Sequence, residues 1–215
     1  MVPVNKLPMR AIQIYEFIRG NGWNAFFKEV IYVNRKAIVY EKDLTEANFQ
    51  EDLFRDANVE FIEVHPETLT ERNLVYAQRN RYLKAMYYLG KGYKCHALVR
   101  GYEVIGDIWH FAPRESKGAT GHVDPQWLGI TLGLDSIYYF DTYFMPTERG
   151  NNLSAALQNS SMYVLHKKGY AKAYGYCWAD NTPAVWNTRV VIKWKELKII
   201  AASRFFLFRR AVEIN

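Results

Sequence analysis

The apolar positions of this chain follow two rhythms. Ile14, Phe17 and Ile18 share one helical face and predict a short amphipathic helix over residues 9–18, broken by Gly20-Asn21-Gly22. Residues 30–33 and 37–40 are β-branched and aromatic runs on either side of Asn34-Arg35-Lys36, which reads as a hairpin. Residues 45–55 carry another short helical pattern, with Thr45 placed to cap it.

From Asn58 the pattern becomes regular. A strand is expected over 59–64. A helix over 71–89 follows, with Val75, Tyr82, Met86 and Leu89 on one face and Gly90 and Gly92 at its end. Strands over 94–100 and 103–111 are joined by the tight Gly101-Tyr102 turn. A Pro- and Gly-rich break spans 113–133. Beyond it come an aromatic strand over 135–145, a helix over 153–168 closed by Gly169, a strand over 170–178, a helix over 183–196 and one or two strands over 198–212. The order β-α-β-β-β-α-β-α-β places the chain in the α/β class with a mixed, α+β-type sheet. Residues 58–215 read as one domain. Residues 1–57 read as a helical and hairpin extension packed on it.

Composition narrows the picture. Two cysteines, Cys95 and Cys177, have neither disulfide-framework nor zinc spacing, and the five histidines show no ligand spacing, so no metal is expected. No stretch approaches the roughly 20 apolar residues of a membrane span. Glu16 and Arg19 interrupt what would be a signal peptide's apolar core, which makes a cytoplasmic location the expectation. Net charge is +6, an excess that suits an anionic partner or a solvated basic surface. Part of it lies in residues 1–40, where Lys6, Arg10, Arg19, Lys28, Arg35 and Lys36 interleave with Phe17, Trp23, Phe26 and Phe27. That segment is either a further layer on the sheet or a surface for nucleic acid or membrane, without a strong nucleic-acid signal.

Candidate chemistry concentrates between Tyr138 and Asn181. A strand runs into Pro146-Thr147-Glu148-Arg149-Gly150-Asn151-Asn152-Leu153-Ser154, where a helix begins. Unpaired N–H groups and the helix dipole favour an anion there, most readily a phosphate. Gly150 admits close approach and Arg149 adds a fixed charge. Asp141 is a lone acid in an aromatic strand. His110 stands at the end of a strand bordering the same region. With Glu103 and Tyr138 these are the proton-transfer candidates.

This segment resembles the GNAT superfamily of coenzyme A-dependent N-acyltransferases, whose pyrophosphate-binding motif is R/Q-x-x-G-x-G/A. Arg149 fits the first position and Leu153 the apolar fifth, and Ala155-Ala156-Leu157 match the start of the helix. Pro146 and Glu148 match the common lead-in, Lys168-Gly169-Tyr170 the helix end, and Asp180-Asn181-Thr182-Pro183-Ala184 the D-N-x-x-A after the fifth strand. The resemblance covers residues 58–212. It departs at Asn152, where the family prefers Gly, and at Ser154, where it prefers Gly or Ala. Thr188 replaces a tyrosine that often serves as general acid, and Tyr138 replaces a carboxylate found in some members.

The resemblance implies a GNAT-like fold with an N-terminal extension. It implies direct acyl transfer in a ternary complex, from acetyl-CoA or another acyl-CoA as co-substrate, to a small-molecule or protein amine. Asp141, His110 and Tyr138 are the catalytic candidates. Phe144, Met145, Arg149, Gly150, Asn151, Asn152, Leu153, Ser154, Asn181 and Ala184 are the cofactor-binding candidates. A homodimer is left open. The alternatives are a non-catalytic acyl-CoA-binding or sensing domain, and a nucleic-acid- or membrane-associated module using the basic N-terminal segment.

Overall fold

The computed structural model describes residues 6–27, 31–115, 121–205 and 208–214. The elements are, in order, α1 (Lys6–Phe26), β1 (Tyr32–Asp43), a 3-10 turn (Leu44–Glu46), α2 (Glu51–Asp56), β2 (Glu60–Val64), α3 (Pro66–Glu71), β3 (Val75–Tyr76) and α4 (Arg79–Gly90). Then come β4 (Lys94–Arg100), β5 (Glu103–Phe111), α5 (Val123–Trp127), β6 (Ser136–Phe144), α6 (Leu153–Lys167), β7 (Lys172–Trp178), α7 (Thr182–Trp186) with a π-helical turn after it (Asn187–Val191), β8 (Lys195–Phe205) and β9 (Phe208–Ile214).

All strands join one sheet in the order β2-β4-β5-β6-β7-β1-β8-β9, with β3 lying beside β5. Pairing is antiparallel except for β3 with β5 and β6 with β7. The expected strands over 94–100 and 103–111 appear with those bounds. Cys95 to Val99 and Val104 to Phe111 are buried without interruption, as suits strands covered on both faces. One face packs on α6 through Ile38, Leu98, Ile105, Ile108, Ile137, Leu157 and Leu165. The other is covered by α4 and by the segment around Leu128 and Ile130.

Five expectations differ from the structure. Asn34-Arg35-Lys36 is no turn: residues 32–43 form one continuous strand, and these three pair with Ser203, Ala202 and Ala201. Their polarity reflects a poorly covered stretch of sheet, and β1 is an inner strand between β7 and β8. The helix expected over 71–89 begins only at Arg79, because Glu71 closes the earlier helix α3. Asn73 takes a left-handed φ of 49° and ends α3, and Val75-Tyr76 then pair in parallel with Glu103-Val104. The buried side of α4 carries Arg81 and Ala85, while Tyr82 is exposed. The helix over 183–196 stops at the π-helical turn, where Lys193 at φ 59° redirects the chain into β8. The helix over 9–18 runs on to Phe26 with a break at Gly22, φ 81°. Asp43, and not Thr45, caps the turn at 44–46 by accepting a bond from the Thr45 N–H at 2.9 Å.

Candidate acyl-CoA cleft

The parallel pairing of β6 with β7 lasts three residues: Ser136 with Lys172, Ile137 with Ala173 and Tyr138 with Tyr174. Beyond them the strands separate. Two features cause this. Phe140 is an extra residue in β6, because Trp109 faces Asp141 while His110 faces Tyr139. Such a bulge bends its strand and increases its twist. On the other side, β7 stays paired along its whole length with β1, from Lys172 with Asp43 to Trp178 with Ala37. At the parting point stands Gly175, where a Cβ would lie 3.3 Å from the Tyr139 carbonyl oxygen. From Gly175 to Trp178 the β7 edge that faces β6 has no partner strand among the described residues.

The opening is a cleft of about 1150 Å³. Its walls include Tyr139 to Phe144 of β6, Gly175 to Trp178 of β7, Trp186 of α7 and the start of α6. At its α6 end lies the turn anticipated from sequence. Gly150 has φ 94° and Asn152 φ 57°. The Asn152 carbonyl accepts the first bond of the helix, from the Ala156 N–H at 3.0 Å. The N–H groups of Leu153, Ser154 and Ala155 therefore lie ahead of the helical ladder, and the Asn152 side chain does not cap them. Arg149 beside them is exposed and has no ion pair among the described residues.

The structure brings seven of the ten cofactor-binding candidates to the cleft: Phe144, Arg149, Gly150, Asn152, Ser154, Asn181 and Ala184. Met145 packs partly against the α6-side core, Asn151 is exposed outside the walls, and the Leu153 side chain is a core residue. Asn181 also caps α7 through a bond from the Ala184 N–H at 3.4 Å. Phe144 has room because Gly106 lies opposite it: a Cβ there would come within 2.6 Å of the ring.

Of the catalytic candidates, Asp141 reaches the wall and His110 and Tyr138 do not. The bulge turns Phe140 and Asp141, consecutive residues, toward α4. There Arg81 Nη1 donates to Asp141 at 2.9 Å, Tyr88 Oη donates at 3.0 Å, and Lys84 Nζ lies 2.6 Å away. Arg81 also forks onto the fully buried Asp107, its Nε donating at 3.1 Å, and lies over the Tyr143 ring. Burial alone would raise the Asp141 carboxyl, but Lys84 and Arg81 pull it down to about 2. His110 is fully buried, stacked on His96, and burial holds it neutral far below the usual histidine range. Tyr138 is buried against His122 under the 121–132 segment, and burial pushes its phenol well up. Glu103 sits at the start of β5, beside Val75 and Arg100, and is not part of the walls.

Sequence reasoning missed two wall residues of chemical interest. The indole Nε1 of Trp194 is buried without a hydrogen-bond partner, and the buried hydroxyl of Tyr40 neighbours the Cys177 thiol and Arg189. Tyr40 comes from β1 directly beside Gly175, and the Trp194 ring lies 3.8 Å from the position of a Gly175 Cβ. Burial raises the Tyr40 phenol, so it is a protonated donor. A glycine inside a strand marks close approach, and Gly175 was the available signal. The donor set fits coenzyme A. Orphaned N–H groups, a left-handed turn and Arg149 suit phosphates, and the bare β7 edge with the unpartnered Trp194 indole N–H beside it suits the amides of a pantetheine arm.

A mixed sheet opened by a bulge between two parallel-paired strands defines the class: the chain has the GNAT fold. It is similar in structure to a GCN5-related glucosamine N-acetyltransferase region of a fungal multi-domain GH3 β-N-acetylglucosaminidase, at 13% identity and TM-score 0.56 over 94% of this chain and 23% of that one. A putative GNAT-family acetyltransferase from Novosphingobium aromaticivorans matches at 9% identity and TM-score 0.51, over 79% of this chain and 65% of that one. A GCN5-related N-acetyltransferase from Sphaerobacter thermophilus matches at 9% identity and TM-score 0.50, over 90% and 57%. The chain thus spans between about a quarter and two thirds of the length of these solved chains. No family model and no curated protein matches it in sequence. Among the described residues no group of three or more His, Cys, Asp or Glu could hold a metal, and no helix is long and apolar enough to cross a membrane.

Proposed function

We propose that the protein is an acyl-CoA-dependent N-acyltransferase that moves an acetyl group to an amine acceptor by direct attack within the cleft. The observation that carries this is the parting of β6 from β7 in front of the left-handed turn at Gly150–Asn152. Bound acyl-CoA supplies the activated acyl group. The chain's own residues do the rest. Arg149 and the N–H groups ahead of α6 hold phosphates. The β7 edge aligns the arm, and Tyr40 and Trp194 donate to acceptors on it. Holding amine and thioester together supplies most of the acceleration.

The cleft carboxylates are poor bases at neutral pH. Arg100 holds Glu148 below the usual range through charge-assisted bonds, and Asp141 is held low by Lys84 and Arg81. The acceptor's proton therefore leaves to water in the cleft. A second reading, binding without transfer, is favoured by Thr188 standing on the cleft wall where a tyrosine acid would serve. The basic N-terminal segment gives less support to a nucleic-acid module, since Arg35 is engaged with Asp180 at 2.9 Å and lies over Trp178.

The test is a melting scan with CoA, acetyl-CoA and longer acyl-CoAs, followed by thiol release with a panel of amines. Ligand at 100 times its Kd adds about 2.7 kcal/mol of stability. No shift with millimolar CoA on folded protein refutes the reading. A shift without thiol release with any amine selects the binding-only alternative.

A further inference from the structure

The sheet ends in a regular seven-residue edge strand. β9 is last in the strand order, and all seven of its residues pair with β8 without a register break, from Ile199 with Ile214 to Phe205 with Phe208. It contains no proline and no bulge, two of the devices that blunt an edge, and its only guard is the charge of Arg209, Arg210 and Glu213. Six of its seven residues are exposed, Phe208 at 79%. Phe208 continues a row of exposed aromatics across three strands, with Phe205 and Tyr32. Among the described residues nothing pairs with the outer edge.

We infer that β9 is a self-association edge, and that its partner is β9 of a second copy of this chain, extending both sheets through a two-fold axis. Symmetry restricts the register sharply. Residues facing each other across antiparallel strands share a sheet face, so two identical strands must be centred on a residue and not between two. Centring on Arg210 sets that arginine against itself and leaves the end of the strand unpaired. Centring on Ala211 pairs all seven residues. It places Arg209 of each copy opposite Glu213 of the other, and Phe208 of each opposite Ile214 of the other. The small Ala211 sits on the axis, and Arg210 meets Val212.

The surroundings reinforce the charge match. Arg209 is held in place by Asp124 at 3.2 Å and by stacking over Trp127, which presents it on one face of the strand. Glu213 on the same face is 58% exposed and has only a distant contact, 4.0 Å, with Lys198. Each Glu213 would gain one Arg209, so the symmetric pair holds this contact twice. The apolar face gains the Phe208–Ile214 contact, also twice. Opposed cross-strand pairs of these kinds contribute free energy individually, and like charges in the same places oppose pairing.

The experiment is sedimentation equilibrium of the full chain over a wide concentration range, with Glu213→Arg, Ile214→Asp and the charge-swapped pair Arg209→Glu with Glu213→Arg. The wild type should show a concentration-dependent monomer–dimer equilibrium. Glu213→Arg should weaken the dimer about tenfold or more, since each factor of ten is about 1.4 kcal/mol, and Ile214→Asp should weaken it as well. The charge-swapped pair should associate more tightly than Glu213→Arg alone. Melting curves establish that each variant is folded; a swapped variant that fails to fold leaves the decision to Ile214→Asp. A wild type that stays monomeric at every concentration overturns the inference. So does a dimer that neither single substitution weakens.

Discussion

Asn152 is where the candidate site depends most visibly on backbone conformation, and its substitution gives a quantitative test. The residue has φ 57° and ψ 1°, it is exposed, and its side chain makes no capping bond. Removing the side chain should therefore change the stability by no more than about 1 kcal/mol, the usual glycine effect. A β-branched residue in the same conformation costs about 1–3 kcal/mol. That strain has two places to appear. If Asn152→Val keeps the left-handed turn in the free protein, stability falls and affinity is preserved. If the turn relaxes, stability is preserved and CoA binding must restore it, weakening the affinity by roughly 5- to 150-fold at 1.4 kcal/mol per factor of ten. Both routes meet in the CoA-saturated protein, which carries the full strain. At about 2–4 °C per kcal/mol for a chain of this size, the saturated Val variant should melt about 2–12 °C below the saturated Gly variant. Differential scanning calorimetry with CoA in large excess reads this directly. Equal melting of the two saturated variants would refute the argument that this turn cradles the pyrophosphate.

Two further outcomes follow from buried charge. Arg81→Met strips the fully buried Asp107 of the arginine that forks onto it and leaves only Lys84 acting on it; urea unfolding should show a loss of about 3–5 kcal/mol, and a loss under about 1 kcal/mol would mean that water or Lys84 takes the arginine's place. Acid sensitivity is set by histidines: burial pushes His96 down to about 4, holds His110 well below its usual range and lowers His122. His96 and His110 are neutral when folded and take up protons on unfolding below the ordinary histidine range near 6.5, so stability should fall as pH drops from about 6.5, by about 1.4 kcal/mol per unit for each of these two, with His122 acting in the same direction. The carboxylates with depressed values act only at lower pH. His110→Gln should reduce the slope between pH 6.5 and 5, measured by chemical denaturation at each pH; a wild-type stability that is flat across that window contradicts this account of the histidines.

Local elements were legible in the sequence where one physical signal dominated. β4 and β5 read correctly because apolar and β-prone residues dominate both and the Gly101-Tyr102 turn sits between them. The α6 boundaries read correctly because the turn residues and Gly169 bracket an apolar helix face. Failures came where tertiary contacts outweigh local pattern. Arg81 is buried on α4 because two aspartates from β5 and β6 reach it, and no helical period anticipates a buried arginine. Val75-Tyr76 leave the helix because β5 offers a parallel edge. The polar Asn34-Arg35-Lys36 stay extended because β8 pairs with them.

The candidate site divides along the same line. Its phosphate end is local in sequence and follows from nine consecutive residues. The other end of the cleft is not. Tyr40, Tyr139, Gly175 and Trp194 come from four segments and meet only through the strand order. β1 is decisive here. A strand leaving its neighbour exposes a row of unpaired backbone groups, and that cost normally closes the gap. β7 tolerates the loss because its other edge is fully paired with β1, residue by residue from Asp43 to Ala37. The segment that looked like an appendage is therefore what allows β6 to depart and the cleft to remain open, and it also carries Tyr40 to the vertex. Truncation after residue 40 would take away most of this support together with the hydroxyl, so loss of the cleft and loss of the donor are a single structural event.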